Sequence, residues 1–325
     1  MEQKEARRHH HIPQFYLRGF ATGSGKKTRV QVASLRAQRW FEAHPKNIGV
    51  EKDFLRFDAE GVEPDALEKA MSGMESQVAE AIRNVEATEK FEGEDRVYIL
   101  NFIALLAVRS PQMRENWRQA QDRLCRMMMD MSLATKERWE GQMQQMRNAG
   151  REVKEDVTYE QMKEFHDKGE YDITVNREWH IRMEFEVFQT VLNCLADRSW
   201  SLYVTNEKLG PFVTSDRPVI ISWKYPEKVP VMMRKSPGYG MKDTEVYFPI
   251  TKRLALVGEF DGPEETFSAL PSVVSIGNVQ MIEWAFEQLY TVKRSFRYIG
   301  PPLALYHDAN FMERFAEEKA RRKIN

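Results

Sequence analysis

Residues 97–108 make the longest apolar run of the chain, broken by Asn101. A bilayer crossing takes about 20 residues, so this run is too short to span a membrane. As a helix it is apolar on nearly every face and has no side to give to water. It therefore belongs at the centre, with the rest of the chain arranged around it. With 325 residues, 42% of them hydrophobic, the chain has enough apolar material to enclose it.

Helices are expected on both sides of that run. Leu67, Met71, Met74, Val78, Ile82 and Val85 recur at spacings of three and four, the stripe of an amphipathic helix. Ser110 before Pro111 suits a cap followed by proline at the first helical position. Met113, Trp117, Ala120, Leu124, Met127 and Met131 then keep a four-three seam. A methionine-rich helix over 111–148 is predicted, with an adaptable face that could take a second copy of the chain. A polar loop follows at 147–158, and Ile181, Phe185, Phe188, Leu192 and Leu195 mark another long helix ending near Asp197.

Alternation replaces helical spacing at the two ends. Val30 and Val32 mark a strand after a Gly23-Ser24-Gly25 turn, and Trp200, Leu202 and Val204 mark another. Short strands are expected at 212–214 and 219–223. A hairpin is expected between Val246, Phe248 and Ile250 and the run 254–260, with a loop at 226–243. A helix at 278–287 and a strand at 288–293 close the pattern. The predicted class is α+β: a central bundle of long helices with a mostly antiparallel sheet built from N-terminal and C-terminal strands. A single domain over 1–325 is expected. It would hold a motif segment at 8–58, a helical region at 63–197, a strand-rich region at 198–306 and a solvated basic tail at 307–325.

Charge and cysteine usage narrow the function classes. A net charge of -1 supplies no whole-molecule field toward nucleic acid or anionic lipid, so any such contact needs a local basic patch. Two cysteines, Cys125 and Cys194, sit in apolar helical patterns and point to a reducing, cytoplasmic setting rather than a disulfide framework. Glu2, Lys4, Glu5, Arg7 and Arg8 leave no apolar stretch for a secretory leader.

The chemistry-bearing residues fall in four short motifs. The first is His10-His11-Ile12-Pro13-Gln14-Phe15-Tyr16-Leu17-Arg18-Gly19-Phe20, whose aromatics can pin it to a core. The others are Asn47 with Glu51-Lys52-Asp53-Phe54, then Arg109-Ser110-Pro111, then Thr214-Ser215-Asp216-Arg217-Pro218. Together with Phe248-Pro249-Ile250-Thr251 and the stretch around Asn278, they resemble the domain-of-unknown-function 4238 family of bacterial proteins. The resemblance spans most of the chain. Arg217 stands where the family usually has asparagine, and Leu55 where it has tyrosine. The family implies no chemistry, so roles rest on the residues themselves.

Imidazole is a common metal ligand and a base near neutral pH. On an extended chain His9 and His11 share a face while His10 points away. One metal could take His9 and His11, or His10 with residues from elsewhere; His10, Glu51 and Asp216 are the candidate ligands for Mg²⁺, Mn²⁺ or Zn²⁺. His10, His11, Arg109 and Asp216 are the candidate catalytic residues, and Gln14, Arg18, Asn47 and Ser215 would contact substrate. Asp216 also has a plain structural role available, bonding its own backbone two residues on. His180 and Glu184, one turn apart, fit a surface pair better than a metal pair. His44 precedes Asn47, the reverse of an HNH nuclease order.

The expected function is a metal-dependent hydrolase acting on phosphodiester bonds, with nucleic acid or a nucleotide as substrate. The alternative is a non-catalytic module binding a ligand, nucleic acid or protein. In that case the same polar residues form a buried network that rigidifies the fold.

Overall fold

The protein is described by a computed structural model covering residues 8–52, 54, 66–153, 156–301 and 303–324. It begins with β1 (Arg8–His10), α1 (Gln14–Arg18), β2 (Val30–Ser34), β3 (Arg39–Ala43) and β4 (Val50–Lys52). The helical stretch holds α2 (Ala66–Thr88), α3 (Gly93–Val108), α4 (Pro111–Ser132), α5 (Lys136–Asn148), α6 (Tyr159–Lys168) and α7 (Arg177–Ala196). Then come β5 (Ser199–Val204), β6 (Thr214–Ser215), β7 (Ile220–Trp223), β8 (Thr244–Pro249), β9 (Leu254–Glu259) and β10 (Thr266–Ser268). The chain ends in α8 (Pro271–Trp284), β11 (Gln288–Thr291), β12 (Phe296–Gly300), β13 (Ala304–Asp308) and α9 (Phe311–Ile324).

Two units are formed, Pro111–His180 and the remainder, Met1–Ser110 with Ile181–Asn325. The larger unit is α+β. Its five-stranded sheet has the order β10-β5-β9-β8-β7, antiparallel except for the parallel β10–β5 pair. The expected hairpin is β8–β9, with Phe248 opposite Leu256. A second sheet, β3-β2-β11-β6, joins the two ends of the chain: Val32 lies opposite Tyr290 and Leu289 opposite Ser215. The sheet material is thus divided rather than continuous, with β1–β4 and β12–β13 as separate two-stranded pieces among the described residues.

The apolar run is α3, with Ile99, Leu100, Phe102, Ile103, Ala104, Leu106 and Val108 buried. It packs with α2, whose Val78, Ile82 and Val85 are buried; the side chains of Leu67 and Met71 lie outside the described residues. Phe102 is the centre of an aromatic cluster, 5.1 Å from the Phe15 ring, 5.6 Å from Tyr16 and 6.1 Å from Phe248. One helix, one sheet strand and the opening motif therefore share one core.

The smaller unit departs from the expected single helix over 111–148. It breaks after Ser132, and Thr135 caps a new helix by accepting the Arg138 amide. Helix α6 adds a capping box, Thr158 with Gln161, and ends at Gly169 with φ 64°. Leu124, Met127, Met128 and Met131 of α4 are exposed. At the C-terminus, the expected basic tail begins in β13 and continues as α9, with Phe311 and Met312 buried. The side chains of Arg321, Arg322 and Lys323 lie outside the described residues. Among the described residues no helix is long and apolar enough to cross a membrane, and both cysteines are free thiols.

Candidate functional site

The opening motif is held by backbone on one side and by a phenol on the other. Strand β1 pairs with β4, placing His9 opposite Glu51 and His10 opposite Val50. Just beyond, the His11 and Ile12 amides both donate to the Gly49 carbonyl, at 2.9 and 3.3 Å. Gly49 has φ 62°, and a Cβ there would stand 3.0 Å from the Cβ of Ile12. Only glycine accommodates both demands. In α1, Tyr16 and Leu17 are buried while Arg18 is exposed. Tyr16 donates to the Pro249 carbonyl at 2.7 Å, and its oxygen lies 2.7 Å from the Thr214 hydroxyl. Burial pushes that phenol well up from its ordinary pKa. Three of the sequence motifs therefore meet at one buried hydroxyl.

Asp216 is a backbone clamp. Its Oδ1 accepts the Phe286 amide at 2.8 Å, and its Oδ2 accepts the amides of Glu287 and Gln288 at 2.7 and 3.0 Å. These are the residues that lead into β11. Burial raises the pKa of its carboxyl; the three amides and the Arg217 charge pull the other way. The local turn expected of Asp216 is made by its neighbour, since the Arg217 amide donates to the Ser215 hydroxyl at 3.0 Å. Ser215 also reaches the Met281 sulfur at 3.0 Å, and the Arg217 guanidinium lies 4.5 Å from the Trp284 ring centre. Tyr290 completes the link. It donates to Gln288 at 3.0 Å. Burial raises its pKa, as do the carboxylates of Asp216 and Glu287, against a hydrogen bond from the Gly49 backbone.

The remaining candidates are more dispersed. Arg109 is 2% exposed at the C-terminal end of α3, where a cation meets the negative end of the helix. Gln14 is half-buried at the start of α1, and Asn47 is exposed, its amide donating to the His44 carbonyl at 2.9 Å. For the expected ligands His10, Glu51 and Asp216, no group of three or more His, Cys, Asp or Glu side chains that could hold a metal ion is found among the described residues. Directly opposite residues share a face of a sheet, which puts exposed Glu51 on the face of buried His9. Asp53 and Leu55 lie outside the described residues. His180 and Glu184 are both buried on α7 rather than at the surface.

Three clusters have no counterpart among the sequence motifs' expected roles. Arg198, 1% exposed, donates to the carbonyls of Thr244, Gly258 and Tyr239 at 2.7, 3.1 and 2.7 Å and to the Thr244 hydroxyl at 2.8 Å. Asn278 accepts the Val213 amide at 2.9 Å and donates to the carbonyls of Pro211 and Arg297 at 3.0 and 2.8 Å. Its stretch carries part of the family resemblance, but the clamp depends on segments far away in the chain. In the smaller unit, His166 bridges the Asp130 carboxylate at 2.7 Å and the Tyr171 hydroxyl at 2.6 Å. No spacing in the sequence announces that relay, because its members come from α4, α6 and the stretch after α6.

Neither the curated proteins nor the solved structures hold a match to this chain. The sequence model of the family described as Protein of unknown function (DUF4238) matches residues 8–295. That span carries the opening motif, the Gly49 turn, Arg109, Asp216 and the Asn278 clamp, and by it the chain belongs to this DUF4238 family.

Proposed function

We propose that the chain is a binding module whose motif residues form a structural polar network, rather than a hydrolase that uses them directly. The observation behind this reading is the state of Asp216: both carboxylate oxygens accept backbone amides. A carboxylate so engaged is poorly placed to receive a metal ion or a substrate proton. Tyr16 and Asn278 act in the same sense, each tying separate segments together by hydrogen bonds within the protein. The partner classes that go with this reading are a small ligand, nucleic acid or a nucleotide, and a second copy of the chain through the exposed methionines of α4.

The hydrolase reading keeps one supporting observation, the pairing of buried His9 with Glu51 across β1 and β4. Melting curves of the protein, His10→Ala and Asp216→Asn, taken with chelator, Mg²⁺, Mn²⁺ and Zn²⁺ and followed by a phosphodiester assay, separate the two. The binding-module reading expects Asp216→Asn to lose about 1–3 kcal/mol, because a backbone donor is left buried and unmet. It also expects no metal-specific rise and no turnover. A metal-specific rise abolished in both variants, together with turnover, would overturn it.

A further inference from the structure

The concavity beside α1 is built by sequence that the polar network does not use. It has a volume of about 540 Å³, within the range of small-molecule sites. Arg18, Lys26, His44 and Lys46 line it together with the hydroxyl residues Ser24 and Thr28, and no carboxylate lines it among the described residues. In a chain of net charge -1, this is a local excess of positive charge.

The loops that present these groups are fixed. The Gly25 carbonyl accepts the Thr28 amide at 3.2 Å and the Thr28 hydroxyl at 2.9 Å, and lies 3.3 Å from His44 Nε2. His44 Nδ1 accepts the Lys46 amide at 3.2 Å, so the ring carries its proton on Nε2 and staples the two turns together. Arg29 holds the first turn from the other side, donating to the carbonyls of Lys26 and Thr28 at 2.8 and 2.9 Å. The backbone is braced, while the charged ends of Arg18, Lys26 and Lys46 have no ion pair among the described residues.

We propose that this concavity binds the phosphate group of a small phosphate ester, with Arg18 as the planar, two-pronged donor and Lys26 and Lys46 as point charges. A guanidinium matches two phosphate oxygens at once, and ammonium groups add charge without a fixed geometry. The proposal rests on the ligand-binding reading above and supplies the ligand's chemistry.

Calorimetric titration of the full chain with inorganic phosphate, a nucleoside monophosphate, a sugar phosphate and a single-stranded oligonucleotide tests it. Binding of phosphate and of at least one ester is expected. Arg18→Gln and Lys46→Gln should each weaken it about tenfold without lowering the melting temperature, whereas Lys90→Gln, which removes a surface charge elsewhere, should not. The two esters distinguish a nucleotide from a sugar-phosphate source. No binding of phosphate or either ester up to about 10 mM, equal binding by Arg18→Gln, or binding by the oligonucleotide alone would overturn the proposal. A phosphodiester assay on the same samples keeps the two readings apart. Turnover with phosphate binding intact would sink the binding-module reading and leave the anion site standing.

Discussion

Arg198 and Asp216 place one charge of each sign inside the larger unit, and each is held mainly by backbone groups. For Arg198 the acceptors come from β8, β9 and the loop before β8, with the Phe260 ring centre 4.2 Å away. Burial lowers its pKa, and the acceptors hold the guanidinium in one position. Arg198→Lys should therefore destabilise by about 3 kcal/mol, because a single ammonium cannot reach three carbonyls arranged for a fork. Denaturant melts would read that loss, and a change below about 0.5 kcal/mol would show that the acceptors find other donors. Nothing around Arg198 in the sequence distinguishes it from a surface arginine. Its role exists only once three distant segments are folded. Asp216 is visible in the sequence as a strand-end carboxylate, yet its partners lie some seventy residues on, beyond any local pattern.

At the scale of elements, periodicity is a good guide where one face is buried. Helices α2, α3 and α7 and the β8–β9 hairpin lie where apolar spacing puts them. Helix α6 and the β12–β13 pair carry that signal over only a few residues. The first has Tyr159, Met162 and Phe165 at three-residue spacing behind its Thr158–Gln161 capping box, and the second rests on Phe296, Tyr298 and Gly300 alternating inward over five residues. The glycines of two helices give a sharper test of what packing adds to propensity. A Cβ placed on Gly141 in α5 would have nothing within 4 Å, so Gly141→Ala should stabilise by about 0.5–1 kcal/mol. Gly277 in α8 faces the Tyr247 ring, whose Cζ would lie 2.7 Å from a Cβ there. Gly277→Ala should destabilise by about 1–3 kcal/mol through overpacking, reversing the sign that helix propensity alone predicts. Thermal melts of the two variants side by side read both signs.

At the scale of the molecule, the two units respond to different conditions. In the smaller one, His180 is stacked on Trp117 at 6.3 Å and set edge-on to Trp179 at 5.4 Å. Burial and the Arg114 charge lower its pKa from the ordinary 6.5, with Glu115 working against them. The unfolded chain thus takes up a proton at a pH where the folded unit does not. The stability from neutral His180 is complete above about pH 6.5 and falls as the pH drops below it. His180→Gln should flatten the dependence of the melting temperature between about pH 6.5 and 5, and an unchanged slope would assign the effect to other groups. Helices α4, α5 and α6 draw on contiguous sequence, whereas Val32 of β2 waits for Tyr290 of β11. On a ribosome adding about 5–20 residues per second, that partner arrives tens of seconds later. Until residues 248 and 249 are made, Tyr16 lacks the Phe248 ring and the Pro249 carbonyl, so the nascent chain carries its aromatic motif with cover from Phe102 of α3 but none from the sheet.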